Sequence, residues 1–236
     1  MTGSFLNVII DRLPRGVSIV HPPSHCDSCG HPLSPIDLIP LLSFLWLRGK
    51  CRYCQAKLSL RVPLVELATG IIFALLAMLY GISLQLVMSI VYAGLFISLF
   101  VIDMEHGILP DKIVFTGMAL SLGFSFLWPG RGPLNSLIGG GVGLGLLLIP
   151  YIISRRGMGL GDVKLAGFLG LATGFPSVLV ALLLAILAGG AVAIVLVLFR
   201  KKGRKDAMPF GPYLVTAGLI AVLWGEPILK WYLRLF

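Results

Sequence analysis

The chain has 236 residues, of which 57% are hydrophobic and only 12% are charged, and its formal net charge is +9. A soluble domain normally carries about a quarter charged residues, and apolar runs of about 20 positions are the length of a membrane-spanning helix. This composition argues against a soluble all-α protein. It also argues against a membrane barrel, whose strands would alternate polar and apolar residues. We therefore predict an all-α polytopic membrane protein.

The N-terminal stretch MTGSFLNVII is apolar for only ten residues before Asp11 and Arg12. That length is too short to cross a bilayer, and the stretch lacks the pattern of a cleavable signal peptide. We therefore expect the internal apolar segments to drive insertion into the membrane.

All four cysteines follow, in the stretches CDSCGHPL (26–33) and CRYCQAKL (51–58). Each stretch holds one C-x-x-C pair, and 21 residues separate the pairs, which suits four tetrahedral zinc ligands. Two disulfides are the alternative, disfavoured if the segment lies in the reducing cytoplasm. A redox motif would need a βαβ context, which is absent. The histidines beside the pairs, His25 and His31, are not needed for a four-cysteine site.

The rest of the chain is a series of apolar segments, which predict a bundle of about seven transmembrane helices after a small N-terminal zinc-binding module. We divide the chain into a cytoplasmic region at 1–62, with the module at about 21–62, and a transmembrane domain at 63–236. The glycines of LIGGGVGLGLLL suit close helix packing. The predicted spans are 63–82, 84–103, 112–128, 134–154, 162–174, 176–199 and 209–227.

The distribution of positive charge predicts the orientation. If residues 1–62 face the cytoplasm, that side holds 16 of the 19 Lys and Arg residues, and only Arg131, Lys230 and Arg234 lie opposite. This bias follows the positive-inside rule, and the charge also favours contact with anionic membrane lipids. No soluble module interleaves the basic residues with aromatics, so we predict no nucleic-acid partner.

Two aspartates lie at the same predicted membrane boundary. Asp103 ends the second span, and Asp162 opens the fifth after the alternating glycines of GMGLGDVKL (157–165). Carboxylates at the edge of hydrocarbon are costly and usually functional or paired. Two that lie close together do not easily both ionise, so one keeps a proton while the other activates water. The glycines would let an extended substrate backbone approach Asp162.

Each acidic residue also has a simpler interpretation. Asp162 could cap the fifth helix, and Asp103 could be an interfacial residue solvated by the next loop. Asp111 resembles a helix N-cap after Pro110. Glu66 could pair with Arg61 or serve the site.

Several stretches together resemble the type IV prepilin peptidases, bifunctional leader peptidases and N-methyltransferases of type IV pilus and type II secretion systems. The resemblance covers nearly the whole chain. Members usually carry a membrane helix ahead of the first stretch, so we expect that the true start lies upstream or that this helix is absent. The stretches are GSFLNVIIDRLP (3–14), both C-x-x-C motifs, PLVELATG (63–70), IDMEHGILPD (102–111), GMGLGDVKL (157–165) and PFGPYL (209–214).

The resemblance implies that Asp103 and Asp162 are the catalytic pair of a GxGD-type aspartic peptidase in the bacterial inner membrane. It implies cleavage of the short basic leader of prepilins or pseudopilins at the cytoplasmic face, then methylation of the new N-terminus with S-adenosylmethionine. Glu105 and Asp111 would attract that leader. The resemblance also implies a zinc ion bound by Cys26, Cys29, Cys51 and Cys54. The alternatives are a peptidase without methyl transfer, and a zinc-containing membrane assembly or transport protein.

Overall fold

The computed structural model describes residues 2–21, 23–26, 28–34, 36–153, 158–199 and 209–234. Over these ranges the chain forms nine α-helices, and its only extended pairings are two isolated bridges near the cysteines. The all-α prediction is therefore confirmed. The helices are α1 (Thr2–Arg12), α2 (Leu42–Trp46), α3 (Arg61–Tyr80), α4 (Leu84–His106), α5 (Asp111–Ser125), α6 (Pro133–Ile153), α7 (Leu160–Thr173), α8 (Ser177–Leu198) and α9 (Gly211–Leu233).

The seven predicted spans correspond one by one to α3–α9. Among the described residues, five helices are long and apolar enough to cross a membrane, namely α3, α4, α6, α8 and α9. Helices α5 and α7 have only 15 and 14 residues, short of the roughly 20 that a typical bilayer requires. The chain is therefore a multi-pass membrane protein in which two of the predicted segments are short helices.

The chain divides into two compact units, Met1–Leu86 and Val87–Phe236. In the first unit, α1 packs against α3. The backbones are close at Gly3, where a Cβ atom would lie 2.9 Å from Glu66 Cα. An ion pair of 2.7 Å between Arg61 and Asp11 also joins the two helices. The predicted boundary after residue 62 falls just inside α3, and this division stays a prediction.

Helix α7 is the central helix of the second unit. It packs against α5, α6, α8 and α9, and ten of its 14 residues are buried. Aromatic side chains of α4 also contact α7. The ring centre of Phe168 in α7 lies 5.2 Å from that of Phe96 and 6.3 Å from that of Tyr92. A short helix surrounded in this way is shielded by protein, which explains how so few residues suffice at membrane depth.

Three of the five α6 glycines lie in tight contact with α7, so the predicted packing role is confirmed for these three. A Cβ atom on Gly139 would collide with the carbonyl oxygen of Gly170, and one on Gly143 would collide with that of Ala166. A Cβ on Gly140 would lie 2.8 Å from the Leu171 side chain. The remaining two glycines, Gly141 and Gly145, face open space. Helices α6 and α7 therefore meet backbone to backbone, as small residues allow in membrane proteins.

This contact predicts different effects for two glycines of the same helix. We expect Gly139→Leu to lower the thermal midpoint in detergent, because forcing a side chain into a filled contact costs about 1–3 kcal/mol or more. Gly141→Leu is the matched control, since nothing lies within 4 Å of a Cβ at that position. Equal midpoints for the two variants would contradict the α6–α7 contact.

A buried arginine holds the opposite end of α7. Arg131, in the loop after α5, donates to the carbonyl oxygen of Ala172 near the end of α7. It also donates to the carbonyl oxygen of Val222 in α9 at 3.3 Å, and its guanidinium lies 4.4 Å from the centre of the Trp128 ring. Cations are favourable at helix C-termini, where the last carbonyls lack partners.

Candidate functional site

A cavity of about 740 Å³ lies at the end of the second unit where α4 ends and α5, α7 and α9 begin. Both predicted aspartates line it, and so do Asp111, Lys164 and Phe210. The structure therefore brings together residues that are separated in sequence by two helices and a loop. The two carboxyl groups therefore share one compartment.

Asp103 lies one turn before the end of α4 and is only 5% exposed. Its Oδ2 atom is buried and lacks a well-formed hydrogen bond within the described residues. The backbone of Gly211, at the start of α9, lies directly against this oxygen and leaves no room for a Cβ atom. Such a buried acceptor is costly unless something else binds it, so Asp103 is not a solvated interfacial residue.

Asp162 is buried in the first turn of α7. Its Oδ2 atom accepts the backbone N–H of Gly159 at 3.2 Å, and Gly159 is the N-cap residue. The proposed capping role is therefore correct in substance, although the side chain acts from the third position of the helix rather than from the N-cap itself. Capping occupies one oxygen and does not prevent the carboxyl group from facing the cavity.

The glycine loop is only partly described. Gly157 lies outside the described residues. Gly159 has an extended backbone with φ −80° and ψ 147°, which any residue adopts. Gly161 lies in a tight contact, because a Cβ atom there would be 3.1 Å from Leu109 Cβ. In the described part of the loop, Gly161 therefore allows close approach, and neither Gly159 nor Gly161 has the positive φ that favours glycine.

Two other acidic residues depart from their predicted roles. Asp111 is the first residue of α5, whose N-cap is Pro110, and its carboxylate pairs with Lys164 at 2.8 Å. Its prediction as an N-cap is wrong. The ion pair also offsets part of the negative charge that was expected to attract a basic leader. Glu66 lies in the first unit and does not line this cavity; its Oε2 accepts the backbone N–H of Leu41 at 2.9 Å.

The start of α9 contributes residues that the physical reading of the sequence missed. Pro209 and Phe210 line the cavity, and Gly211 covers Asp103. None of these residues is titratable, so charge at membrane depth does not single them out. Only the family resemblance points to the stretch PFGPYL.

The four cysteines form one cluster in the first unit. Their sulfur atoms all lie within 4.8 Å of one another, and Cys26 Sγ is 3.8 Å from Cys54 Sγ. A tetrahedral ion with bonds of about 2.3 Å to sulfur places its ligands about 3.8 Å apart, whereas a disulfide requires about 2.05 Å. The cysteines are therefore positioned to bind a metal ion.

The two C-x-x-C loops share one backbone pattern. In the first loop, the N–H of Cys26 bonds to the carbonyl of His31 at 3.0 Å, and Gly30 has φ +68°. In the second loop, the N–H of Cys51 bonds to the carbonyl of Ala56 at 2.8 Å, and Gln55 has φ +60°. Each loop thus turns back sharply after its second cysteine and presents both sulfurs to the same point.

The chemistry of the donors also fits a cation. Backbone N–H groups of Cys29 and then Ser28 lower the pKa of the Cys26 thiol to about 6. The N–H of Ala56 acts in the same direction on Cys54, but desolvation and the three neighbouring sulfurs raise the pKa of this thiol to about 11. Four adjacent thiols do not all ionise without a positive charge between them.

The fold and the two sites define a class, a polytopic helical membrane protein with a cysteine cluster and a buried aspartate pair. Comparison with known families is consistent with it. Residues 1–80 match the bacterial peptidase A24 N-terminal domain, and residues 90–194 match the type IV leader peptidase family. No solved structure matches the chain significantly.

Curated relatives cover the chain almost end to end. It is 36% identical over 276 aligned residues to a prepilin leader peptidase/N-methyltransferase of Aeromonas hydrophila, covering 100% of this chain and 91% of the relative. It is 30% identical to the protein of that name from Bacillus subtilis, over 99% of this chain and 94% of the relative. The chain belongs to the type IV leader peptidase family.

Proposed function

We propose that this chain is a membrane aspartic endopeptidase that removes the short basic leader of type IV prepilin-like proteins and then methylates the new N-terminus. The observation that carries the peptidase proposal is the meeting of Asp103 and Asp162 in one cavity. The names of the relatives support both activities.

The proposed chemistry needs both carboxyl groups. One holds a proton for the carbonyl oxygen of the scissile bond, and the other takes a proton from the attacking water. The two groups titrate as a pair, so the proton belongs to the pair and not to either residue. The backbone of Gly211 lies against the buried Oδ2 of Asp103, and the Gly159 N–H holds Asp162 in place.

We infer that the cavity faces the cytoplasm of the bacterial cell, in the inner membrane. Residues 104–111 and 158–164 line the cavity end of the unit, and both stretches belong to the side to which the charge distribution assigns most of the basic residues. An apolar prepilin helix in the bilayer would then present its leader at the depth of the aspartates. Prepilins, pseudopilins and membrane lipids are the proposed partners.

We infer that the metal of the cysteine cluster is Zn²⁺, held by Cys26, Cys29, Cys51 and Cys54. The sulfur distances suit a closed tetrahedral site with no open coordination position, which is typical of structural zinc. The module at about 21–62 has little apolar core of its own, and a domain this small needs a bound metal ion or a similar cross-link to stay folded. The proposed domain division follows, with a cytoplasmic module at about 21–62 and a peptidase domain at 63–236.

The proposed methylation requires S-adenosylmethionine, which would supply the methyl group. The test of the proposed function is a single reaction. Purified protein in liposomes is incubated with a prepilin-type substrate, with and without S-adenosylmethionine, and the product is followed by mass spectrometry. We expect loss of the leader in both reactions and a methyl-sized gain in mass only with S-adenosylmethionine.

A matched substrate makes the result decisive. The control is a prepilin-type substrate that carries a large side chain next to the bond to be cut. This substrate should stay uncut under the same conditions. An intact wild-type substrate would contradict the peptidase proposal and favour a membrane assembly or transport role. Cleavage without the gain in mass would leave a peptidase alone.

A further inference from the structure

The short helix α2, in the first unit, is apolar on every side. Its sequence is LSFLW, and the flanking residues Leu41 and Leu47 are apolar too. A helix that is apolar all round is normally covered, either by a protein core or by a membrane. The described part of the chain leaves one side of α2 open, because the exposed fractions are 64% for Leu42, 71% for Leu45 and 88% for Trp46.

These three residues form one face of the helix, which we call the outer face. Positions i, i+3 and i+4 are neighbours on a helix surface, so the leucines and the tryptophan make a continuous patch. The opposite side faces the protein, since Phe44 and Leu47 line a cavity against α1 and α3. The outer face is therefore not a loose part of the core of this unit.

A hydrogen bond ties α2 to the membrane-spanning helix α3. Oε2 of Glu66 accepts the N–H of Leu41, the residue just before α2, at 2.9 Å. Glu66 is the sixth residue of α3, which begins at Arg61 and is long and apolar enough to cross a membrane. The bond therefore places the start of α2 beside the first turns of a membrane span.

The depth of that point in the membrane follows from helix geometry. Charged arginines near helix ends reach the membrane surface, so we take Arg61 to mark it. Glu66 then lies about 7.5 Å further along the helix, and the headgroup region is about 5–8 Å thick on each side of a bilayer. The outer face of α2 thus starts where the headgroups give way to hydrocarbon.

The position of α2 is well fixed. Leu41 has a left-handed φ of +59°, which is unusual for leucine, so the Glu66 bond holds one particular turn against α3. The same end of α3 is joined to α1, because the buried side chain of Asn7 donates to the carbonyl oxygen of Val62 at 3.2 Å. The loop that carries α2 is therefore anchored at this depth.

Basic residues follow the outer face directly. Arg48 and Lys50 are exposed, and no ion pair to either occurs within the described ranges. Residues 38–60 contain no aspartate or glutamate. Tryptophan is enriched at membrane interfaces, and lysine and arginine close to the surface attract anionic lipids. Apolar side chains followed by unpaired positive charge complement a bilayer with anionic headgroups.

We propose that α2 is a membrane-surface anchor, with Leu42, Leu45 and Trp46 in the bilayer interface and Arg48 and Lys50 beside the headgroups of anionic phospholipids. The cysteine module is then held against the membrane at a second point besides α3. The proposal goes beyond the proposed peptidase and methyltransferase activities and does not depend on either of them.

Quenching of Trp46 fluorescence tests the contact with lipid. Full-length protein is reconstituted into phosphatidylglycerol liposomes with or without bromine on the acyl chains. The chain has four tryptophans, so the emission of Trp46 is taken as wild type minus Trp46→Phe. We expect bromine to reduce this difference at least about twofold, because the ring lies next to the acyl chains. Unquenched emission would overturn the proposal.

Hydrogen exchange of residues 42–50 tests the role of charge. In phosphatidylglycerol liposomes, the double variant Arg48→Gln and Lys50→Gln should exchange about fivefold faster per charge removed, which corresponds to about 1 kcal/mol. In phosphatidylcholine liposomes it should match wild type. Residues 51–58, which carry the second cysteine pair, should be unchanged in both, and this would show that the module is folded. Lys230→Gln, an exposed lysine in α9, is the matched control and should have no effect.

Two results would overturn parts of the proposal separately. Wild-type exchange in the double variant in phosphatidylglycerol would refute the contact of Arg48 and Lys50 with headgroups. Unquenched Trp46 together with protection that rises with protein concentration would show that a second copy of the chain covers the outer face. Neither experiment measures leader cleavage or methylation, so failure here would leave the proposed function standing.

Discussion

Asp103→Asn and Asp162→Asn, made one at a time, are expected to slow leader cleavage by a factor on the order of 10³. Each change removes one of the two carboxyl groups between which the proton would be shared. Initial rates of leader loss, followed by mass spectrometry on a prepilin-type substrate, measure the effect. The two losses should not add in the double variant, because residues that act as a unit fail together.

Asparagine is the appropriate replacement because it preserves the local structure. At position 162 its amide oxygen still accepts the Gly159 N–H, so α7 keeps its cap, whose loss would cost about 1 kcal/mol. Glu226→Gln is the matched control, since this carboxylate is exposed and pairs only weakly with Lys230 at 3.7 Å. Normal cleavage by either aspartate variant would refute the two-carboxylate mechanism.

The second large effect is expected at the cysteine cluster. Cys51→Ser should reduce the bound metal from one ion per chain to nearly none and make residues 21–62 sensitive to protease. Cys51 is only 3% exposed, and structural zinc contributes about 10–16 kcal/mol in zinc-finger peptides. Metal content by mass spectrometry and limited proteolysis measure the two consequences. We expect the same result when wild type is treated with a strong chelator.

His31→Ala is the control for this variant. The His31 ring stacks on that of Tyr53 with centres 3.7 Å apart, but it is not among the four clustered ligands. The control should therefore keep its metal. Wild type purified under reducing conditions without metal, or with two disulfides, would contradict the zinc proposal.

The fold could be predicted from the sequence because long apolar segments have few alternatives to the helix in a membrane. Helix ends were less predictable. The last span was predicted to end at 227, whereas α9 continues to Leu233. The difference arises because the last turns of α9 contain the charged residues Glu226 and Lys230, which lower the hydropathy and so suggest that the span ends there. Within the helix these two residues are four positions apart and pair with each other.

The aspartates could be predicted because charge is rare at membrane depth, but their partners could not. Asp111 follows a proline as many N-caps do, and only the packing of α5 against α7 brings Lys164 to it. Asn7 and Glu66 likewise become notable through burial and an unmatched oxygen. Neither property depends on neighbours in sequence. The five glycines of α6 divide into packed and open positions for the same reason, since only the face turned towards α7 matters.

Arg131, which binds carbonyl oxygens near the C-terminal end of α7 and in α9, bears on how activity should vary with pH. A guanidinium stays charged throughout the range in which proteins remain folded, so the bonds from Arg131 to the carbonyls of α7 and α9 do not titrate. Ala172 lies ten residues, or about 15 Å, along the helix from Asp162. A loss of cleavage as the medium becomes more acidic or more alkaline is therefore not expected to arise from these bonds, and we expect it at the opposite end of α7, where Asp162 lies.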